Sequence, residues 1–219
     1  LLSNGNYDFD NPEALDIIRF QQDLLALLEG KEVDIPSYNF KSGESMPHSG
    51  IKLRLYPGDI LIVEGIHALN PAITGFIKNL KIGMAKIPQV RLFINAPENL
   101  RLPRRLVRDL ATRGKPPIET IKQWPTVHDG EKNYIYPTKE NADVIIDTDV
   151  GESFYQSDLY NLFCPALLQA LRDAEELRNA AGNDPKKLEY AYELIKRIHD
   201  YIGIYRIMIP AEELMLPLP

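Results

Sequence analysis

The run Asp59-Ile60-Leu61-Ile62-Val63-Glu64-Gly65 constrains the fold more tightly than any other stretch of the chain, because four uninterrupted apolar residues end in an acid and a glycine. An apolar run of this length suits a parallel strand covered on both faces. Gln89-Val90-Arg91-Leu92-Phe93-Ile94-Asn95 repeats the pattern about 25 residues later, and Ala142-Asp143-Val144-Ile145-Ile146-Asp147 repeats it after a helical stretch. Strands alternating with helices predict an α/β sheet.

The intervening segments read mainly as helices. Asp10-Asn11-Pro12-Glu13 offers an N-cap, an early proline and an early acid. Leu15, Ile18, Leu24, Leu25 and Leu28 follow at helical spacing, which predicts a helix from about Pro12 to Glu29, ended near Gly30. Residues 31–41, with Pro36, read as a short strand edge leading into a loop. Residues 97–114 read as a helix despite Pro103 in its early turns. Two amphipathic helices, about 160–180 and 185–201, are separated by Gly182-Asn183-Asp184, a turn that carries an N-cap, and are expected to pair antiparallel on the sheet.

At 219 residues and 44% hydrophobic content the chain can bury one sizeable core. A formal charge of −6 argues against a protein built to hold a nucleic-acid backbone, which needs clustered Lys and Arg. Cys164, the single cysteine, can form neither an internal disulfide nor a zinc site, which fits a reducing compartment and a cytoplasmic location. No run approaches the roughly 20 apolar residues of a membrane helix. The chain opens at Leu1 without an initiator Met and reads as the interior of a longer protein. Self-association into a homo-oligomer is left open by the sequence.

Two features carry chemistry. Glu64 stands at the carboxyl end of a predicted strand, where α/β sheets bind ligands, and could hold Mg²⁺ directly or through water. The structural alternative is a helix cap or an arginine partner. Arg101, Arg104, Arg105 and Arg108 lie three or four residues apart on one helix flank, with Arg113-Gly114 beyond. Like charges at that spacing repel unless anions intervene, and guanidinium meets phosphate with a planar pair of donors. The alternative is a solvated face neutralised by acids elsewhere.

Six short stretches, taken in order, resemble the uridine kinase family, in its bacterial branch of longer nucleoside-kinase-like proteins. They are Asn6 to Asp16, Ile35-Pro36-Ser37-Tyr38-Asn39-Phe40, Val63 to Asn70, Arg101 to Gly114, Trp124 to Glu131 and Tyr136 to Asp143. The resemblance covers about residues 6–150; Ile209-Pro210 and the helical pair before it look like the family's C-terminal region, and the last nine residues depart from it. It implies a P-loop-kinase-like parallel sheet flanked by helices, with a helical C-terminal pair. Residues 1–150 would form a partial nucleoside-kinase-like domain with an arginine-rich lid at about 98–135, and residues 151–219 a helical region packed on it. The implied activity is transfer of the γ-phosphoryl of ATP to the 5′-hydroxyl of uridine or cytidine, with ATP and Mg²⁺ as cofactors and a nucleoside as the small-molecule partner. Glu64 would serve Mg²⁺; Tyr38, Asn39 and Phe40 would line the nucleoside pocket; Arg101 would approach the sugar. Arg104, Arg108 and Arg113 would form the lid that stabilises charge on the transferring phosphoryl. Asn70 and, more weakly, His67 are further pocket residues, with His67 expected to be structural.

The sequence departs from the family in two places. No G-x-x-x-x-G-K-[ST] occurs in the 219 residues: Gly30-Lys31 is followed by Glu32, and Gly114-Lys115 by Pro116. The ATP phosphate cradle is therefore absent from this sequence, and no turnover is expected of it alone. Asn39 stands where the family motif has an aspartate able to accept hydrogen bonds from sugar hydroxyls with both oxygens. The loss of a charged acceptor is worth about 1.5–3 kcal/mol. A reading from another class, a catalytically silent nucleotide-binding or scaffold module, draws on these departures. A phosphoribulokinase or pantothenate-kinase relative accounts less well for Tyr38-Asn39-Phe40. Trp124 and Asp143 are expected to pack and to cap a strand edge rather than to bind ligand.

Overall fold

The structure is a computed structural model and describes residues 8, 10–39, 44–82, 84–149 and 151–207. The chain divides into two compact units, Leu1–Asn95 with Thr126–Asp147, and Ala96–Pro125 with Thr148–Pro219.

In the first unit the expected first helix starts later than its sequence suggests. Asn11 caps only a 3-10 turn, Pro12–Ala14, and Leu15 is extended. Helix α1, Ile17–Leu28, takes Asp16 as its cap, whose Oδ1 accepts from the Arg19 N–H at 3.0 Å. Two capping residues compete here, and the one adjoining the apolar period starts the helix. Strands β1 (Val33–Asp34), β2 (Ser37–Asn39), β3 (Glu44–Met46) and β4 (Lys52–Leu53) follow, then the single turn α2 (Pro71–Thr74). β1 pairs antiparallel with β4, and β2 with β3. Gln21 ties α1 to α2 by donating to the carbonyls of Ala72 and Ile73 at 2.9 and 3.0 Å. Next come the hairpin β5 (Lys81–Ile82) and β6 (Ala85–Lys86), and β7 (Leu92–Asn95).

After the helices of the second unit, β8 (Val144–Asp147) runs parallel to β7 in the register Leu92 to Val144 through Asn95 to Asp147. The second and third apolar runs therefore pair as expected of an α/β sheet. The wide sheet covered on both faces is not assembled among the described residues. Residues 59–64 lie in no ladder, Ile60 and Ile62 are 86% and 81% exposed, and all four residues of β8 are exposed. Continuous apolarity sets what a strand can bury, but burial itself requires neighbours on each side.

The second unit is helical. Helix α3, Glu98–Arg113, continues through Pro103, which is fully buried. A mid-helix proline costs about 3 kcal/mol, and burying a large apolar side chain returns about 1.5–3 kcal/mol, so the surrounding leucines Leu100, Leu102 and Leu106 keep the helix intact. Gly114, at φ 62°, caps it by a left-handed turn in which its N–H donates to the Asp109 carbonyl. Helix α4 is Pro117–Gly130, of which residues 126–130 belong to the first unit. A π-helical turn, Glu131–Ile135, and a 3-10 turn, Tyr136–Asn141, extend it.

Helices α5 (Asp158–Ala180) and α6 (Pro185–Ile204) form the expected pair, capped by Ser157 and Asp184, and α5 also packs on α3. Their shared core holds Phe163, Leu167, Leu171, Leu194 and Ile198. Phe154, Tyr160, Phe163 and Tyr205 meet edge to face at 4.8–6.2 Å. Trp124 packs against this core, as expected, and so does half-buried Cys164, whose thiol is pushed up by burial. No helix among the described residues is long and apolar enough to cross a membrane.

Candidate functional site

The sequence-predicted residues divide between the units. Tyr38, Asn39, Glu64 and Asn70 belong to the first, Arg101, Arg104, Arg108 and Arg113 to the second. Phe40 lies outside the described residues.

In the first unit four of the six motifs converge on one place. Asn11 donates to the Tyr134 hydroxyl at 3.4 Å, and Asn141 donates to the Leu69 carbonyl at 3.2 Å. Gly130 is buried so closely against Asp10 that a Cβ there would lie 2.7 Å from the Asp10 Cβ, a separation no side chain tolerates. His67 is 4% exposed in the turn after Glu64, and neither ring nitrogen makes a well-formed hydrogen bond among the described residues. Burial pushes the imidazole below its ordinary range, and the nearby Asp10 and Asp8 pull only partly in the other direction. A neutral imidazole pressed against the Asp10 segment is the result. Asp10 and Gly130 were not singled out in the sequence as separate residues; the spacing of short motifs carries no sign that their members touch.

Glu64 is exposed in a segment outside any helix or ladder. Neither structural alternative, a helix cap or an arginine partner, engages it among the described residues. No group of three or more His, Cys, Asp or Glu that could hold a metal occurs among the described residues. A lone carboxylate still suits Mg²⁺, which is commonly held by one or two carboxylates with water and substrate phosphate. Tyr38 and Asn39 are exposed on β2, opposite Ser45 and Glu44. The Asn70 side-chain oxygen caps α2, accepting from the Ala72 N–H at 3.0 Å, which leaves its amide nitrogen for other work. Asp143 takes the backbone N–H and the guanidinium of Arg91 at 2.7–3.1 Å, and this pairing lowers its carboxyl to about 2. It acts as the strand-edge tie the sequence suggested.

In the second unit the arginines are organised by a residue inside their own motif. Asp109 is fully buried on α3. Its Oδ1 accepts from Arg108 Nε and Nη2 at 3.0 and 2.8 Å and from Arg113 Nη1 at 3.0 Å. Arg105 Nε lies 3.5 Å from Oδ2, and the buried Thr120 hydroxyl of α4 approaches the same oxygen at 3.5 Å. Positions 105, 109 and 113 share a helix face at i, i+4 spacing. A neutralising acid therefore comes from within the cluster, where three guanidiniums meet one carboxylate. Lys115 adds a fourth cation beside them, held down in pKa by burial and by Arg105 and Arg113, against the pull of Asp109. Arg104 is occupied differently, donating to the Thr148 hydroxyl and carbonyl at 2.8 and 2.9 Å. Arg101 is half-buried one turn earlier, near the buried Tyr205, whose hydroxyl is pushed up by burial with Arg101 opposing the shift.

Residues 2–152 match the family described as the phosphoribulokinase/uridine kinase family. Uridine-cytidine kinase A of Dictyostelium discoideum is 33% identical over 143 residues, 65% of this chain and 26% of that protein. Uridine kinase of Saccharomyces cerevisiae shows the same identity and coverage, and uridine-cytidine kinase B of Dictyostelium discoideum is 33% identical over 145 residues, 54% of its length. The chain thus spans between about a quarter and about half of these relatives. With its family profile matched across more than half of its residues, and with the matched motifs converging in the first unit and carrying the arginine cluster of the second, the chain belongs to the phosphoribulokinase/uridine kinase family.

Proposed function

We propose that this chain is the nucleoside-binding and lid portion of an ATP-dependent kinase that phosphorylates the 5′-hydroxyl of uridine or cytidine. The observation that carries the reading is the cluster on α3, where Arg105, Arg108 and Arg113 gather on the buried carboxylate of Asp109. Such a fixed array of guanidiniums is suited to an anion that gains charge during reaction, as a transferring phosphoryl does. Arg104, Arg108 and Arg113 are assigned to that phosphoryl, Arg101 to the sugar, and Tyr38, Asn39, Phe40 and Asn70 to the nucleoside. Mg²⁺, held by Glu64, would neutralise phosphate charge. The sequence contains no G-x-x-x-x-G-K-[ST] cradle for ATP. The 219 residues alone are therefore assigned nucleoside and phosphate binding without turnover. A cytoplasmic site of action fits this assignment.

Calorimetric titration of the 219-residue chain with uridine, cytidine and pyrophosphate tests the reading. Saturable binding of a pyrimidine nucleoside supports it. Absence of binding by either nucleoside supports the second reading, a catalytically silent scaffold module, which is favoured by Asn39 in place of an acid.

A further inference from the structure

We infer that Asp109 is a positioning residue for phosphoryl transfer, acting through Arg108 and Arg113 rather than by touching substrate; this rests on the kinase reading above. The carboxylate is buried, whereas the Arg108 and Arg113 side chains remain 48% and 30% exposed, so a buried anchor holds two partly exposed arginines. Both arginines meet the same oxygen, Oδ1, which fixes their guanidiniums relative to each other. The other oxygen is approached by Arg105 and by Thr120 from α4. The Asp109 carbonyl also accepts the N–H groups of Gly114 and Lys115, the latter at 3.0 Å, so one residue sets the fan of arginines and the turn that follows them. Burial removes Asp109 from any direct role toward metal or phosphate. Without the carboxylate, the Arg108 and Arg113 guanidiniums that share Oδ1 would repel one another and splay.

Positioning and simple charge balance predict opposite things. Asp109→Asn adds one unit of positive charge to the cluster, so a role in charge alone would tighten anion binding and leave the rate unchanged or higher. A positioning role predicts slower chemistry despite the added charge, because displacement of a catalytic group by about 1 Å can cost about 100-fold.

The experiment is steady-state kinetics on the longest native form of the protein with ATP, Mg²⁺ and uridine, together with pyrophosphate titration and thermal melting. Asp109→Asn is expected to lower kcat by about 10- to 100-fold, with the nucleoside KM unchanged and pyrophosphate binding no weaker. A folded Asp109→Asn protein with wild-type kcat overturns the inference. Because this variant removes a buried charge from the centre of the cluster and can fail to fold, Thr120→Val provides a second test that alters no charge. It is expected to lower kcat about threefold by loosening the carboxylate, with no fall in melting temperature. Wild-type kcat in Thr120→Val beside an unfolded Asp109→Asn reduces Asp109 to a structural ion pair and also overturns the inference. Arg104→Ala, which leaves Asp109 alone, separates the two levels. If Arg104→Ala abolishes turnover while the Asp109 and Thr120 variants do not change it, the kinase reading stands and this inference fails. If the wild-type protein does not turn over, both fall.

Discussion

The two units treat their longest apolar stretches differently. The helical unit buries Phe163, Leu167 and Ile198 completely, while the first unit leaves Ile60, Ile62 and the whole of β8 exposed. An amphipathic helix needs one neighbour to cover its stripe, and α3, α5 and α6 supply one another. A strand written for burial on both faces needs strands at its edges and layers above and below. The arginines of α3 are therefore carried on a closed core, while Tyr38, Asn39 and Asn70 are carried on short ladders and turns.

The sharpest way to break this contrast is to truncate one residue of each kind. Phe163→Ala is expected to cost about 3–5 kcal/mol in urea unfolding. Ile62→Ala should stay within about 0.5 kcal/mol, as exposed substitutions usually do. If Ile62→Ala costs as much as Phe163→Ala, the run at 59–64 is covered in solution and the contrast fails.

A smaller effect concerns the nucleoside side. Asn39→Asp restores a two-oxygen acceptor and is expected to tighten uridine binding by about 1.5–3 kcal/mol. Calorimetry on wild type and variant reads this directly, and equal affinities would remove Asn39 from the pocket. Gly130→Ala should lose about 1–3 kcal/mol of stability by overpacking against Asp10. A neutral outcome in thermal melts would mean that the contact relaxes without cost.

Titration gives the smallest effects. His67 is held below its ordinary value of 6.5 by burial, so its stabilising contribution is present above about pH 6.5 and is lost as the pH falls below it. Urea midpoints at pH 8 and pH 5 should differ in that direction, and His67→Leu should flatten the difference. Asp143, lowered to about 2 by Arg91, contributes in the other acid window. Its contribution is present above about pH 4 and is lost as the pH falls toward 2. Asp143→Asn should reduce the acid dependence in that window only.

Helix ends were legible wherever one residue type had a single local role. The Gly182-Asn183-Asp184 turn was read as carrying a cap, and Asp184 caps the last helix in the structure. At the first helix two caps stood within six residues, and pattern alone chose Asn11 over Asp16. Burial of residues 60–63 was not legible, because apolarity records what a segment can cover and not what lies beside it. The arginine cluster was visible, but its organiser was hidden in plain sight. Asp109 reads as one acid in a basic stretch until the helix places it four residues from both Arg105 and Arg113. Its spacing to those two arginines is the signal that could have found it. The approach of Thr120, and the meeting of Asp10 with Gly130, depend on segments distant in sequence and left no such trace.

The most direct test of the kinase reading is a phosphoryl-transfer assay of the longest native form of the protein with ATP, Mg²⁺ and uridine or cytidine, comparing wild type with Arg104→Ala and Glu64→Gln. The account predicts nucleoside 5′-monophosphate from wild type and a loss of at least about 100-fold in each variant. No product from the wild-type protein, or full activity in both variants, would contradict it.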